Sequence, residues 1–473
     1  MKALSLIKNI FTLSLLLLFM TACNEDFLEL EPTDSISEGK VFESYTIAEA
    51  ALVGAYDQLS NPSFEGLYVP IMADIIGEDV MINAVDNWNW FVPVYQMNVL
   101  PNYTYVNSPW WAGYKLIYDV NKLIKNVQKI PDATADQKNR LEGEARALRA
   151  FVMLKLAQIY SPAYSKDNTA PSILLVTDIL EADDDDIGRS TLKEVYEQIE
   201  NDLLTAISLL EEKKDKGFVD QRAAKAMLAR TYLDMENWQK ARDMAKEAYE
   251  GLELMSISEM YSGFSTRNSE TIFTIAYTQE DNNVYLSLPS FYWPVGGYSS
   301  MRANDQFVDL FNYQDARGGF FLQQDDIDAE RFLILKFGHN NVVGNAERIS
   351  IRASEMYLIE AECEAELGNY TAAQEALYQI QQRSYPGVQK SKATDEQLVN
   401  EILLERRKEL FGEGFRWNDI KRRQQSFSRG GDHWVTFNYS PADADYYRLT
   451  FPIPQSEIDA NKMIDLNDQN EGY

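Results

Sequence analysis

Residues 229–245, ARTYLDMENWQKARDMA, and residues 361–377, AECEAELGNYTAAQEAL, repeat one another at a constant offset of 132. Ala229 aligns with Ala361, Leu233 with Ala365, and Met235 with Leu367. Asn237-Trp238 aligns with Asn369-Tyr370, Ala241 with Ala373, and Ala245 with Leu377. Each stretch reads as a helix, a tight turn ending in Asn-aromatic, and a second helix with alanines at the crossing. Small residues let two helices approach closely, while the aromatic plugs the turn. This is a helical hairpin of the tetratricopeptide type. One such hairpin cannot bury its own apolar face, so hairpins must stack. Two looser candidates are present: Thr46 to Leu59 with Trp110 to Ile130, and Glu142 to Tyr160 with Thr191 to Leu210. Four hairpins would make a curved spine, which sets the fold class as mainly α.

Periodicity supports the helices. From Thr191 to Leu210, apolar residues fall at Leu192, Val195, Ile199, Leu203, Ala206 and Leu210, one stripe at helical spacing. Ala145 to Tyr160 and Glu401 to Phe411 also read as helices. The segments between spine pieces differ in character. Residues 61–109 are rich in Trp, Tyr, Asn and Pro. Residues 251–348 hold strand-like runs such as Thr271 to Tyr277, and residues 424–473 are loop-rich. All three are too apolar to stay unfolded, so they are expected to pack on the spine as irregular and short β insertions. Loops held by a rigid scaffold are where binding usually resides.

The N-terminus sets the compartment. Lys2 and Lys8 precede a short apolar run, Ile10 to Met20, followed by Thr21, Ala22 and Cys23. A basic start, a short apolar stretch and small residues before a cut site make a secretory signal peptide over residues 1–22. The run is too short for the ~20 residues of a membrane-spanning helix. A cysteine at the cut site reads as a lipobox, with Met20 replacing the usual leucine. Cys23 is then the lipidated first residue of the mature chain, 23–473, anchored in a membrane.

The net charge is −29, and losing Lys2 and Lys8 with the leader takes it to −31. Such a body repels nucleic acid and argues against adsorption to anionic lipid, which leaves the anchoring to the acyl chains. With Cys23 consumed, Cys363 has no intrachain partner, and it reads as a small core residue. His339 and His433 are the sole histidines, and no cluster has metal-ligand spacing. No cofactor or resident metal is expected. The run Asp183 to Asp186 lacks the spacing of a calcium loop and reads as solvated.

Several strings then appear in a familiar order. After Cys23 come Phe27-Leu28 and Pro32, then the run Ala50 to Tyr56, AALVGAY. Trp111, Tyr114, Ile117 and Asn121 follow, then GEARALRAF over Gly143 to Phe151. Arg352, Glu355, Tyr357-Leu358-Ile359 and Ala361-Glu362 come next. Glu405-Arg406-Arg407, Glu409-Leu410, Glu413-Gly414, Arg416 and Asp419 lead to Pro452-Ile453-Pro454 and the closing Asn470, Gly472 and Tyr473. Over essentially the whole mature chain the sequence resembles the SusD/RagB family of outer-membrane lipoproteins. The resemblance implies a helical fold with an irregular ligand-binding side. It also implies a partner, a SusC-like TonB-dependent channel over which the lipoprotein closes as a lid on a captured glycan or peptide. Glu25 and Asp26 resemble a surface-export signal, which would face the protein outward.

The binding residues must be sought in the aromatic insertions, where the family keeps no fixed motif. Sugar rings stack their C–H faces on flat aromatics, and their hydroxyls seek amides and charged groups. Asn87-Trp88-Asn89-Trp90 fits that demand. In an extended chain residues two apart share a face, so Trp88 and Trp90 would form one platform with Asn87 and Asn89 behind. Tyr95, Tyr103 and Tyr105 follow. The second candidate cluster is Tyr285, Phe291, Tyr292, Trp293 and Tyr298, beside Asn282 and Asn283. Arg302 is a candidate for a carboxylate-bearing ligand. The competing explanation is that these aromatics pin the insertions to the spine. The charged run Arg406, Arg407, Glu409, Glu413, Arg416 and Asp419 has helical spacing and reads as structural support, not as catalytic machinery.

The leading reading is a non-catalytic glycan-binding lid. A peptide-binding lid would favour a deep enclosed cleft over stacking platforms. A surface glycosidase would need two carboxylates roughly 5–9.5 Å apart. A pure scaffold would bind no small ligand.

Overall fold

The computed structural model describes residues 42–180, 187–213, 215–278, 280–325, 330–338 and 346–473. The leader, Cys23, Glu25, Asp26, Phe27-Leu28, Pro32, His339 and the Asp183 to Asp186 run lie outside the described residues. The principal helices are α1 (Tyr45–Ser60), α2 (Tyr68–Ile75), α3 (Thr104–Asn126), α4 (Ala135–Tyr160), α5 (Leu192–Leu209), α6 (Gln221–Asp234), α7 (Trp238–Tyr249), α8 (Ala353–Glu366), α9 (Tyr370–Ser384), α10 (Asp395–Glu409) and α11 (Arg416–Arg422). No helix among the described residues is long and apolar enough to cross a membrane.

The four hairpins form as expected: α1 with α3, α4 with α5, α6 with α7, and α8 with α9. Neighbouring hairpins pack in sequence, α3 on α4, α5 on α6 and α7 on α8. Helix α10 then covers α8 and α9, burying Leu398, Val399 and Ile402 against Ala361, Ala365, Ala373 and Leu377. The α5 stripe faces inward, with Leu192, Val195, Ile199, Leu203 and Ala206 all buried. Helix α4 begins ten residues before its apolar stripe, because a capping box of Thr134 and Gln137 starts it. Helix α10 likewise starts at Asp395, ahead of the expected Glu401.

The repeat holds in backbone geometry. Asn237 sits at φ −84°, ψ 72°, and Asn369 at φ −87°, ψ 56°. The Asn237 N–H donates to Tyr232 O at 2.9 Å, and the Asn369 N–H donates to Glu364 O at 2.8 Å. The residue before each asparagine is left-handed, Glu236 at φ 55° and Gly368 at φ 77°. This is the helix-ending geometry for which glycine is the usual choice.

The insertions supply the strands β1 (Val80–Ile82), β2 (Thr271–Ile275), β3 (Met301–Ala303), β4 (Phe321–Asp325), β5 (Glu330–Ile334) and β6 (Arg348–Arg352). One antiparallel sheet has the order β1-β3-β5-β4, and β2 pairs with β6. In the first, Val80 faces Ala303, Met81 faces Arg302 and Ile82 faces Met301. That register joins two insertions separated by more than two hundred residues.

The charged run is structural, but its partners are not helix neighbours. Arg407 pairs with Asp79, Arg416 with Glu78, and Glu413 with Lys336 and Arg352. Glu409 meets Arg317, Arg352 and Arg383. Arg406 and Arg422 share Asp419. All but the Arg422–Asp419 pair span long stretches of chain or separate helices, so the run stitches the C-terminal helices to the insertions. Cys363 is buried in α8. In α3, Trp110 packs on Tyr114 and Tyr160 at 4.8 and 4.9 Å. Trp111 faces solvent.

Candidate ligand-binding platform

Pairing of β1 with β3 continues into the loops beyond them, where the Asn83 N–H donates to Ser300 O at 2.8 Å. The two aromatic clusters therefore meet. Trp90 lies 5.6 Å from Phe291 at 85°, edge to face, and 6.0 Å from Tyr298. Tyr298 lies 5.0 Å from Phe291 and 6.1 Å from Tyr285. Trp90, Tyr298 and Tyr285 make one row of rings. Phe291 is fully buried beneath it and Tyr285 is 53% exposed at its end.

The loop from Asn83 to Phe91 is not extended. Trp88, Asn89 and Phe91 are left-handed, at φ 55°, 64° and 57°. The Asn83 Oδ1 accepts the Val85 N–H, the Asn87 Nδ2 donates to Asn83 O at 2.7 Å, and the Asn87 Oδ1 accepts the Asn89 N–H at 2.6 Å. Asparagine tolerates this conformation and closes such turns with its side chain. The expected Trp88–Trp90 shared face is thus absent. Trp90 turns inward to the ring row, while Trp88 stands 74% exposed. Asn87 is buried and committed to the turn, which removes it from the ligand-facing set, whereas Asn89 is exposed.

Other expected contacts are also corrected by burial. Tyr95 is fully buried, with its hydroxyl 2.6 Å from His433 Nδ1. Tyr292 is fully buried and donates to Asp74 Oδ2 at 2.9 Å. Neither offers a face to ligand; both pin the insertions to the core, as the competing explanation held. Arg302 is buried and donates to the Ser299 and Met301 carbonyls at 2.6 and 2.9 Å. Its guanidinium braces the β3 turn and is not presented to a carboxylate. Trp293 is half-buried against Gly338, where an added Cβ would come within 3.2 Å of the indole. Tyr103 and Tyr105 are half-buried, and the Tyr105 hydroxyl accepts the Phe91 N–H at 2.8 Å.

Trp434 was not legible as a site residue. Its indole N–H donates to Ile82 O at 2.7 Å, which sets a partly exposed ring beside the Asn83 loop. Sequence offered no signal beyond an aromatic in a loop-rich tail.

Backbone strain concentrates here. Among the described residues nine non-glycine positions are left-handed, and six of them, Trp88, Asn89, Phe91, Met97, Val284 and Ser299, lie in the segments around the platform. Such conformations cost energy and persist where surrounding packing over-determines them, commonly at ligand sites. Below the platform, burial pushes the Asp74 carboxyl up to about 7, against the hydrogen bonds from Tyr292 and Gly414 that favour its charged form. Burial likewise holds His433 down to about 4.

The platform is open surface, not a cavity. A cleft of about 320 Å³ lies elsewhere, between Lys166, Arg189, Tyr447 and Asn470. Another, of about 280 Å³, is lined by Tyr56, Phe218, Phe273 and Asp281. Among the described residues no group of three or more His, Cys, Asp or Glu is placed to hold a metal ion.

Comparison with known proteins gives one answer from three directions. The model of the family described as "SusD family" matches residues 332–473, and that described as "Starch-binding associating with outer membrane" matches residues 26–233. SusD-like protein P25 of Formosa agariphila is 22% identical over 99% of both chains. SusD-like protein P2 of the same organism is 24% identical, covering 98% of this chain and 99% of its own. A crystal structure of a SusD superfamily protein from Bacteroides thetaiotaomicron superposes with a TM-score of 0.81 at 26% identity, over 90% of this chain and 99% of its own. A putative sugar binding protein from Bacteroides vulgatus gives a TM-score of 0.81 at 26% identity, over 91% and 99%.

Proposed function

The chain belongs to the SusD superfamily, and on that premise we propose that it is a non-catalytic, lipid-anchored outer-membrane protein that captures glycan on the Trp90–Tyr298–Tyr285 platform. The observation that carries this reading is the merging of two aromatic clusters into one row that runs from half-buried Trp90 and Tyr298 to exposed Tyr285, with exposed Trp88 on the same loop as Trp90. Ring faces at a shallow surface suit the C–H faces of sugar rings, and exposed Asn89 supplies an amide for hydroxyls. A peptide lid would call for an enclosed cleft, and the platform is open. The family description and the sugar-binding relative support the same ligand class.

The protein would deliver glycan to a SusC-like TonB-dependent channel as its lid, held to the outer face by the lipid on Cys23. Modest affinity suffices, because a tether keeps the effective concentration near the channel high.

The test is tryptophan fluorescence of the unlipidated body titrated with plant, microbial and host glycans and with mixed peptides. A saturable change with one glycan class, lost in Trp88→Ala, supports the reading. Saturation with peptides alone, or glycan binding indifferent to Trp88 and Tyr285, overturns it. Copurification of a TonB-dependent channel with the native lipoprotein tests the partner.

A further inference from the structure

Helix α3 carries a second unusual surface, on the opposite side of the helix from the residues it buries. Trp111, Lys115, Tyr118, Lys122 and Lys125 follow one another at spacings of four, three, four and three. At 3.6 residues per turn these positions fall within roughly 40° of one line. Lys129, in the short helical turn Val127–Lys129, continues the line. Trp111 is 59% exposed. The Lys122 ammonium sits 4.0 Å above the Tyr118 ring. Four lysines, Lys115, Lys122, Lys125 and Lys129, stand along this line with Asp119 and Asp178 as acidic neighbours, so the ridge is basic locally although the charge of the whole body argues against adsorption to anionic lipid.

Lys115 pairs with part-buried Asp119 at 3.0 Å, Lys125 with exposed Asp178 at 2.6 Å, and Lys129 donates to Asn126 Oδ1 at 2.8 Å. Exposed pairs of this kind are weak and exchange readily. Neither of the clefts described above is lined by the ridge. Lysine is depleted at protein–protein interfaces. A helix face of lysines and aromatic rings is instead the pattern of a helix lying at a headgroup layer.

The described chain also begins beside the ridge. The Tyr45 N–H, at the start of α1, donates to Asp132 Oδ1 at 2.7 Å. That bond fastens the beginning of the described chain to the turn just beyond Lys129.

We propose that the α3 ridge rests on anionic lipid headgroups, with lysines on phosphates and the Trp111 ring at the interface, and so fixes how the body sits on its membrane. The proposal rests on the lipid-anchor reading for its orientation, but its test does not need the lipid. The mature chain with Cys23→Ser is mixed with vesicles of phosphatidylcholine alone or phosphatidylcholine with phosphatidylglycerol, at low and high salt, and sedimented. Binding is expected with anionic vesicles alone and weakens with salt. Lys122→Glu with Lys125→Glu reduces it about ten-fold, while a remote reversal of equal charge, Lys193→Glu with Lys390→Glu, has a much smaller effect. Brominated lipid quenches the wild type more than Trp111→Phe, which retains the helix. Equal loss in the remote variant, or no binding to anionic vesicles, overturns the proposal. So does binding to a soluble polyanion such as dextran sulfate without binding to vesicles, which would assign the ridge to an anionic polymer. Glycan titration of the same variants stays unchanged, so failure of the ridge and failure of the glycan reading are told apart.

Discussion

Trp90 and Tyr298 stand 6.0 Å apart although 208 positions of sequence separate them. Strand pairing of Met81 with Arg302 brings their loops together, and the rings then share Phe291 as a floor. On the proposed reading, rings that are half-buried in this way serve packing and binding together, and rings at the edge serve binding alone. Trp88→Ala and Tyr285→Ala are therefore expected to lower glycan affinity about ten-fold each, in line with the energy of one aromatic contact. Their unfolding midpoints stay within ~0.5 kcal/mol of wild type. Tyr298→Ala loses affinity and stability together. Isothermal titration beside urea denaturation checks both columns, and a destabilised Trp88→Ala would mean the ring is packing, not platform.

The hairpin spine was readable because its signals are local. Alanine spacing, an Asn-aromatic turn and a 3.6-residue period all lie within one hairpin, and the Asn237 and Asn369 conformations match accordingly. The platform was readable only in composition. That Trp88 and Trp90 diverge depends on three left-handed residues in a row of four, for which the asparagines were the available clue. That Tyr95 and Tyr292 are core depends on His433 and Asp74, hundreds of residues away. The same distance hid the ion pairs, since a helical spacing of charges says nothing of partners such as Asp79 or Glu78.

Arg352 and Glu413 form a two-pronged pair, Nε to Oε2 at 2.8 Å and Nη2 to Oε1 at 2.8 Å, with both side chains buried. Burial alone would raise the Glu413 carboxyl, but the Arg352 and Lys336 charges outweigh it and hold it below its ordinary value. Arg352→Met leaves Glu413, Glu409 and Glu270 short of a counter-charge and is expected to cost about 3–5 kcal/mol. Urea unfolding followed by far-ultraviolet dichroism checks this. A cost under ~1 kcal/mol would show that Lys336 and Arg383 neutralise the cluster without it.

Asp74 and the ion-paired carboxylates respond oppositely to pH. Glu65, Glu409, Glu413 and Asp419 are held below their ordinary values despite burial, by neighbouring arginines and lysines. Their contribution is present above the unfolded carboxylate range and lost as pH falls through the folded values, so the fold weakens in acid below about pH 4. Asp74, raised to about 7 by burial, binds its proton more tightly folded than unfolded. Its contribution is present at low pH and is lost as pH rises toward 7, by at most about 1.4 kcal/mol per pH unit. Asp74→Asn removes that slope. Denaturation midpoints of the two chains from pH 4 to 8 should therefore diverge, with wild type losing ground to the variant as pH rises. Parallel curves would mean Asp74 is ionised throughout.

Glu236 and Gly368 occupy the same place in the two repeated turns, and one of them is a residue that pays for its conformation. Left-handed geometry costs an ordinary residue about 1–2 kcal/mol, and glycine escapes that cost while giving back part of it as freedom in the unfolded chain. An added Cβ at Gly368 meets nothing within 4 Å. Any loss in Gly368→Ala is then conformational and not steric, and about 1 kcal/mol is expected. Glu236→Gly should gain up to about 1 kcal/mol for the mirror reason. The double variant should return close to wild type when the two changes act independently, and a departure from the sum measures coupling between the stacked turns. Thermal unfolding of the four chains measures all three values. A destabilised Glu236→Gly would show that the Glu236 side chain holds its turn through contacts that outweigh the strain of its backbone.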